Sequence, residues 1–225
     1  TLALRVRDKQ FAHDYTVPQA IRTKVPEEHY STSYIANRAA EWVKSREGND
    51  TPFLLVVSFP DPHHPFTPPG KYWDMYDPAD VKLPASFPTD GQANNPLAQW
   101  VHGKRGPEAE SRWGPAVAGI TEQEAREALA LTYGMITMVD DMVGEIIDKL
   151  EALGLTEDTV VVFTSDHGDF QAAHGLIFKG PFHVDNVVRV PFIWADPKNP
   201  SAVGSTRALG STLDLAQTIL ERARV

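Results

Sequence analysis

Two short stretches of this 225-residue chain carry side chains that could bind a metal ion or move a proton. Asp166 and His167 stand side by side after one apolar run, and His63 and His64 stand together after another. A carboxylate oxygen and an imidazole nitrogen can bind one divalent cation, and Gly168 allows a sharp backbone turn beside them. Alone, an Asp-His pair at a strand end is more often a helix cap beside a surface histidine, so its context decides.

The apolar runs before these pairs have the length of buried strands. They read FLLVVSF at 53–59 and TVVVFTSD at 159–166, and a third run, VRVPFIWAD, occupies 188–196. Continuous apolar runs of this length are typical of strands buried on both faces of a sheet. Ligand sites in open parallel sheets form where strands end, so we expect both pairs to face one crevice.

Helices are predicted between these strands. Residues 31–47 open with hydroxyl residues suited to a helix cap, and T-E-Q-E at Thr121 has the form of a capping box closed by Glu124. Gly154 supplies a left-handed stop for the second helix. Strands that alternate with helices predict an α/β fold with a mainly parallel central sheet.

Two further segments are predicted to lack regular structure. Residues 60–70, PDPHHPFTPPG, contain five prolines and therefore form a stiff loop. Residues 77–119 are rich in proline, glycine, asparagine and charges, which predicts a long irregular excursion. Such excursions often border binding sites.

The composition restricts the classes of molecule that the chain is expected to bind. A formal net charge of -9 and a pI near 5.3 argue against a nucleic acid and against an anionic membrane. They do not exclude a small anionic substrate, since a few focused positive groups reverse the local field. The sequence has no apolar run of about 20 residues and no signal-peptide core, so it indicates neither export nor membrane anchoring by these residues. Cysteine is absent.

The run VVVFTSDHGDFQAAHGLIFKGPFHVDNVVRVPFIW at 160–194 resembles the carboxy-terminal metal-site segment of sulfatases, a family of the alkaline phosphatase superfamily. PDPHHPF resembles the P-H-x-P-F element of that family, and 131–155 resembles the long helix before its metal strand. GSTLDLAQTIL resembles the D-L-A-P-T-L-L segment, with Gln217 where proline is usual. The resemblance implies an alkaline-phosphatase-like αβα sandwich over most of 31–222.

The resemblance implies that Asp166 and His167 ligate one divalent metal ion. Many sulfatases have asparagine at the second position, and the Asp-His pair is similar to the phosphonate-hydrolase and choline-sulfatase-like branches. Ca²⁺ is the first choice, with Mn²⁺ or Mg²⁺ as alternatives, because an imidazole ligand widens the range of acceptable metals.

The resemblance also implies two catalytic residues. Lys179 corresponds to the lysine that approaches the oxyanion of the bound ester, and His63 to the histidine near the bridging oxygen, which can protonate the leaving group. His64 is the weaker choice in its pair. Asp169 could orient a metal ligand or could simply shape the turn.

Half of the family's site is missing from these residues. The resemblance places a pair of aspartates and a C/S-x-P-x-R motif, whose first residue becomes formylglycine, near the amino terminus, and neither occurs here. We therefore expect 1–225 to be an incomplete catalytic domain, inactive alone, whose parent hydrolyses a small sulfate monoester. The alternatives are a phosphonate monoester or phosphodiester hydrolase of the same superfamily and a catalytically inactive α/β binding module.

Overall fold

The computed structural model describes residues 11–88, 95–114, 116–199 and 204–224. The helices are α1 (Ser31–Lys44), α2 (Pro96–Arg105), α3 (Glu122–Ala152), α4 (Asp185–Val188) and α5 (Asp214–Ala223), and the strands are β1 (Ala118–Gly119), β2 (Val161–Thr164), β3 (Leu176–Ile177) and β4 (Phe192–Ala195). No helix in these ranges has the length and apolar character needed to cross a membrane.

The long helix α3 begins and ends where the sequence predicts. The Thr121 hydroxyl accepts a hydrogen bond from the Glu124 amide at 3.3 Å, and the Glu124 carboxylate accepts one from the Thr121 amide at 2.9 Å. This reciprocal capping box satisfies two amides that a helix start leaves unpaired. Gly154 follows the helix with a φ of 68°, a left-handed conformation that favours glycine. The helix predicted over 31–47 is also present, as α1.

The main apolar core lies between α3, the chain over 66–87 and the β1–β3 pair. Leu131, Met135 and Phe178 are fully buried in it. Burying one such side chain contributes about 1.5–3 kcal/mol to stability. The core therefore ties α3 to the segment that carries Lys179.

Strands are found in two of the three predicted positions, with a different pairing from the one expected. β2 and β4 lie within 159–166 and 188–196, and they pair antiparallel with Val161 opposite Ala195. β1 and β3 also pair antiparallel. The predicted mainly parallel sheet is thus not formed by the described residues, because the connection from β2 to β4 contains loops, β3 and the short helix α4 but no long crossover helix.

The segment 53–59 was predicted to be a buried strand, and this prediction is wrong for the structure as described. No strand in the described ranges pairs with it, and Leu54 and Val56 are 71% and 78% exposed. A strand requires a neighbour to accept its backbone hydrogen bonds. Apolar composition alone could not show that the neighbour is not among these residues.

The predicted irregular excursion over 77–119 contains a helix, which is a second correction. Asn95 accepts a hydrogen bond from the Ala98 amide at 2.8 Å, and Pro96 occupies the first turn of α2, where its missing N–H is harmless. Asn-Pro reads equally well as a turn, so the cap was overlooked. Residues 89–94 and 115 of this excursion lie outside the described residues.

Candidate active site

One large cavity gathers all four residues that the sequence predicts for the site. His63, Lys179, Asp166 and His167 line a cavity of about 2710 Å³. The chain following 53–59 and the chain following β2 both reach it, although the first of these is not a paired strand. The structure therefore brings the four side chains to one space, and their roles remain predictions.

Asp166 projects from the end of β2 into solvent. Its side chain is 85% exposed, and Oδ1 accepts hydrogen bonds from the His167 amide at 2.9 Å and from the Ser165 hydroxyl at 3.3 Å. Partial desolvation raises the pKa of this carboxyl, but the hydrogen bond from the His167 amide, the nearby imidazole and the Ser165 hydroxyl outweigh it and lower the pKa overall. Asp166 is therefore an anionic oxygen donor near neutral pH.

The His167 ring is oriented so that one nitrogen is free to bind a cation. Nδ1 lies 2.8 Å from the Gly168 carbonyl oxygen, which can only accept, so Nδ1 carries the proton and Nε2 has the lone pair. Nε2 lies 3.6 Å from Asp166 Oδ2. Two donors at this separation could hold one divalent ion between them.

These two donors suit a hard or borderline divalent cation but do not complete its shell. No group of three or more His, Cys, Asp or Glu side chains placed to hold a metal occurs within the described ranges. A cation takes at least four ligands, so water or other donors would have to supply the remainder. The pair therefore fits one side of a metal site.

Gly168 is required by a close approach rather than by a turn. A Cβ at this position would lie 2.0 Å from the carbonyl oxygen of Asn186, and the Gly168 amide donates to the Val187 carbonyl at 2.8 Å. Any side chain would push α4 away from the Asp166–His167 segment. The glycine thus holds the metal-side loop against α4.

Lys179 stands at the end of a tightly folded loop. Four non-glycine residues of this loop have positive φ values, namely Gln171, Ala172, His174 and Phe178. The Phe170 amide donates to the Phe178 carbonyl at 2.9 Å, and both rings are fully buried. Backbone conformations of this kind persist only where the surroundings enforce them. The loop therefore holds Lys179 in a defined place.

Burial and charge act in opposite directions on Lys179 and Asp169. Burial lowers the pKa of Lys179, whereas the carboxylates of Asp169 and Asp166 raise it in part. Burial raises the pKa of Asp169 to about 6, against the Gln171 amide and the Lys179 ammonium. The sequence does not place Asp169 among the four predicted site residues. Only its position two residues after His167 suggests a role in the site.

His63 and His64 occupy different environments. His63 is exposed, whereas His64 is 7% exposed, and its ring packs 4.1 Å from that of His63 and 4.3 Å from that of Phe178. Burial lowers the pKa of His64 to about 4, and repulsion from Lys179 and from His63 and His167 when they are protonated adds to this effect. His64 is thus a neutral ring behind the exposed His63. The sequence favours His63 over His64 because the P-H-x-P-F motif fixes His63, and the motif does not indicate that His64 is buried.

Comparison with known proteins places this site in a family. The multifunctional alkaline phosphatase superfamily protein PehA of Trinickia caryophylli is 30% identical over 215 residues, which are 92% of this chain and 41% of that protein. The choline-sulfatase of Rhizobium meliloti is 30% identical over 198 residues, 86% of this chain and 36% of that protein. The crystal structure of the phosphonate monoester hydrolase of Agrobacterium radiobacter matches with a TM-score of 0.77 and 26% identity, over 96% of this chain and 43% of that one.

These matches confirm the α/β fold and the family resemblance, and the chain spans less than half the length of the relatives it matches. The sulfatase family model matches residues 6–225, which is almost the whole sequence. The chain belongs to the sulfatase family.

Proposed function

We propose that this protein serves in the metal-assisted hydrolysis of a small sulfate monoester. The observation that supports the proposal is the meeting of His63, Lys179, Asp166 and His167 in one cavity of a sulfatase-family chain. These side chains combine a cation-binding pair, an anion-binding ammonium and an imidazole. Each of these kinds of group can stabilise charge or transfer a proton in the hydrolysis of an ester that develops negative charge on its oxygens.

Asp166 and His167 would hold the metal ion. Ca²⁺ is the first candidate and Mn²⁺ or Mg²⁺ the alternatives, since one carboxylate and one imidazole accept any of them. When bound, such an ion would supply positive charge to the oxygens of the ester. The backbone beside the pair is in close contact with α4 at Gly168.

Lys179 and His63 would act on the ester itself. The ammonium of Lys179 donates up to three hydrogen bonds and suits a sulfate oxygen. The exposed imidazole of His63 can reach the leaving-group oxygen and donate a proton to it. Asp169 contributes by keeping the charge on Lys179 against the effect of burial.

The nucleophile is not among the 225 residues. They contain no cysteine and no Ser-x-Pro-x-Arg sequence. The family resemblance implies formylglycine for this role, so we propose that residues 1–225 form an incomplete catalytic domain and that turnover needs a nucleophile from elsewhere. Loss of a nucleophile costs several orders of magnitude in rate.

Phosphonate monoester or phosphodiester hydrolysis is the second candidate. The Asp-His pair and the likeness to the Agrobacterium phosphonate monoester hydrolase favour it. Both reactions need the same cation and ammonium, so the four residues alone do not separate them. A catalytically inactive binding module is the third candidate, because the nucleophile motif is absent.

A substrate panel separates these candidates. An aryl sulfate, choline sulfate and a phosphonate monoester would be offered with Ca²⁺ or Mn²⁺ to the protein, alone and combined with a polypeptide that carries the family's nucleophile motif. We expect the combination to hydrolyse a sulfate ester fastest, and Lys179→Ala to lower that rate about a hundredfold. The matched control is Lys44→Ala, an exposed lysine at the end of α1. Faster phosphonate hydrolysis would favour the second candidate, and ligand binding with no turnover in any combination would favour the third.

A further inference from the structure

The chain that leads into the His63 loop is not paired in any sheet that the structure describes, whereas Phe66, after the two histidines, forms a bridge with Ala20. The preceding segment, 53–59, is unpaired within the described ranges, and His63 is itself exposed. The backbone contact of its amide is a hydrogen bond to the Pro60 carbonyl at 3.0 Å. If the His63 imidazole is to contact a substrate in one orientation, further contacts must fix the loop that carries it.

A buried tyrosine joins the two ends of this loop. The Tyr30 hydroxyl donates to Asp61 Oδ1 at 3.2 Å and lies 2.8 Å from the hydroxyl of Thr67. Asp61 precedes the two histidines and Thr67 follows them, so one hydroxyl bridges both sides of the turn. Tyr30 is 8% exposed, and burial raises its pKa, so the bridging group stays a neutral hydroxyl.

The same carboxylate is also held by the start of α1. Thr32 is fully buried and its hydroxyl donates to Asp61 Oδ2, so the two oxygens of Asp61 accept from two different side chains. Burial raises the pKa of Asp61 and these hydrogen bonds lower it in part. Hydrogen bonds to a buried carboxylate are stronger than those between neutral groups. Helix α1 therefore stabilises the start of the histidine loop through the hydrogen bond from Thr32 to Asp61.

The other face of the loop packs against the loop of Lys179. His64 lies between the rings of His63 and Phe178, and Phe178 is fully buried immediately before Lys179. The histidine loop is thus fixed on one side by hydrogen bonds to α1 and on the other by ring packing. The ring contact connects the loop of His63 to the loop of Lys179.

We propose that Tyr30 and Asp61 are positioning residues that, together with Thr32 and Thr67, fix the loop presenting His63 to the bound ester. This role for Tyr30 and Asp61 builds on the proposed function and depends on it only for which ester is bound. The hydrogen bonds among these four residues are present without any substrate.

The first test measures the order of the loop without substrate. Hydrogen exchange of the His63 amide, followed by NMR, would be compared in the wild type, Tyr30→Phe and Asp61→Asn. The matched control is Tyr76→Phe, which removes a tyrosine–threonine hydrogen bond of the same 2.8 Å length, to Thr137. We expect exchange at least about tenfold faster in the first two variants and unchanged in the control. Unchanged exchange in Tyr30→Phe would overturn the proposal. Should Asp61→Asn fail to fold, Thr32→Val replaces it.

The second test separates positioning from a general loss of stability. In the hydrolysing combination, Tyr30→Phe is expected to lower kcat about tenfold with KM within about twofold, and to have no further effect in a His63→Ala background. An equal loss in both backgrounds would show that Tyr30 does not act through His63. If no ester is hydrolysed at all, the proposed function fails while the exchange measurement still decides the positioning role.

Discussion

The part of the molecule built on α3 and the part built on β2 and β4 are packed very differently, although each contributes to the same cavity. Around α3 the side chains of Leu131, Met135 and Phe178 are fully buried. On the strand side, Phe192 and Ile193 remain 52% and 58% exposed. The two parts therefore differ in how much apolar surface their side chains bury.

This contrast divides the candidate site into two halves. The ammonium of Lys179 and the ring of His64 belong to the tightly packed half, where loop conformation and burial fix them. Asp166 and His167 belong to the open half, at the end of a short strand pair. The side that carries Lys179 is therefore held by its surroundings, whereas the side that carries Asp166 and His167 has two donors and a largely exposed carboxylate.

Truncating one phenylalanine on each side tests the contrast most strongly. Phe178→Ala removes a fully buried ring and should lower the free energy of unfolding by about 3–5 kcal/mol. Phe192→Ala removes a half-exposed ring and should cost less than about 1.5 kcal/mol. Urea denaturation measures both values. Equal losses would mean that the two halves do not differ in packing as described.

Acid should destabilise the tightly packed half through His64. Its pKa of about 4 in the folded protein lies below the ordinary value of 6.5, so the unfolded chain binds more protons between these values and stability falls as pH falls through them. We expect a loss of about 2 kcal/mol between pH 7 and pH 5 that His64→Gln removes. The exposed His29→Gln serves as the control. The prediction fails if both variants keep the wild-type pH dependence.

The smallest expected effect concerns the capping box of α3, which supports both halves. Thr121→Ala removes the hydroxyl that accepts from the Glu124 amide and should cost about 1 kcal/mol. Thr51→Ala is the matched control, since Thr51 is exposed and lies outside the helices. Thermal unfolding compares the two variants. A loss no larger than that of the control would show that the cap adds nothing measurable.

Local signals in the sequence predicted the helices well and the pairing of strands poorly. The capping box at Thr121 and the glycine at 154 depend on a few neighbouring residues, so α3 was predictable at both ends. The segment 53–59 depends on a distant partner, and its apolar residues could not reveal that no described strand pairs with it.

The residues of the candidate site were predictable because the sulfatase motifs that contain them occur in this chain in the family's order. The motifs favour His63 over His64 and leave Asp169 as either an orienting or a turn carboxylate. They do not show the burial that the structure gives to His64 and Asp169. The network of Tyr30, Asp61 and their partners joins segments about 30 residues apart. No local pattern signals such a contact.

The most direct test of the candidate site is to measure the affinity of the protein for a divalent cation. Isothermal titration with Ca²⁺ and Mn²⁺ would compare the wild type with Asp166→Ala, His167→Ala and the control Asp50→Ala, which removes an exposed carboxylate far along the chain from the pair. We predict at least tenfold weaker binding in the first two variants and no change in the third. Equal affinity in all four proteins would contradict the assignment of Asp166 and His167 as metal ligands.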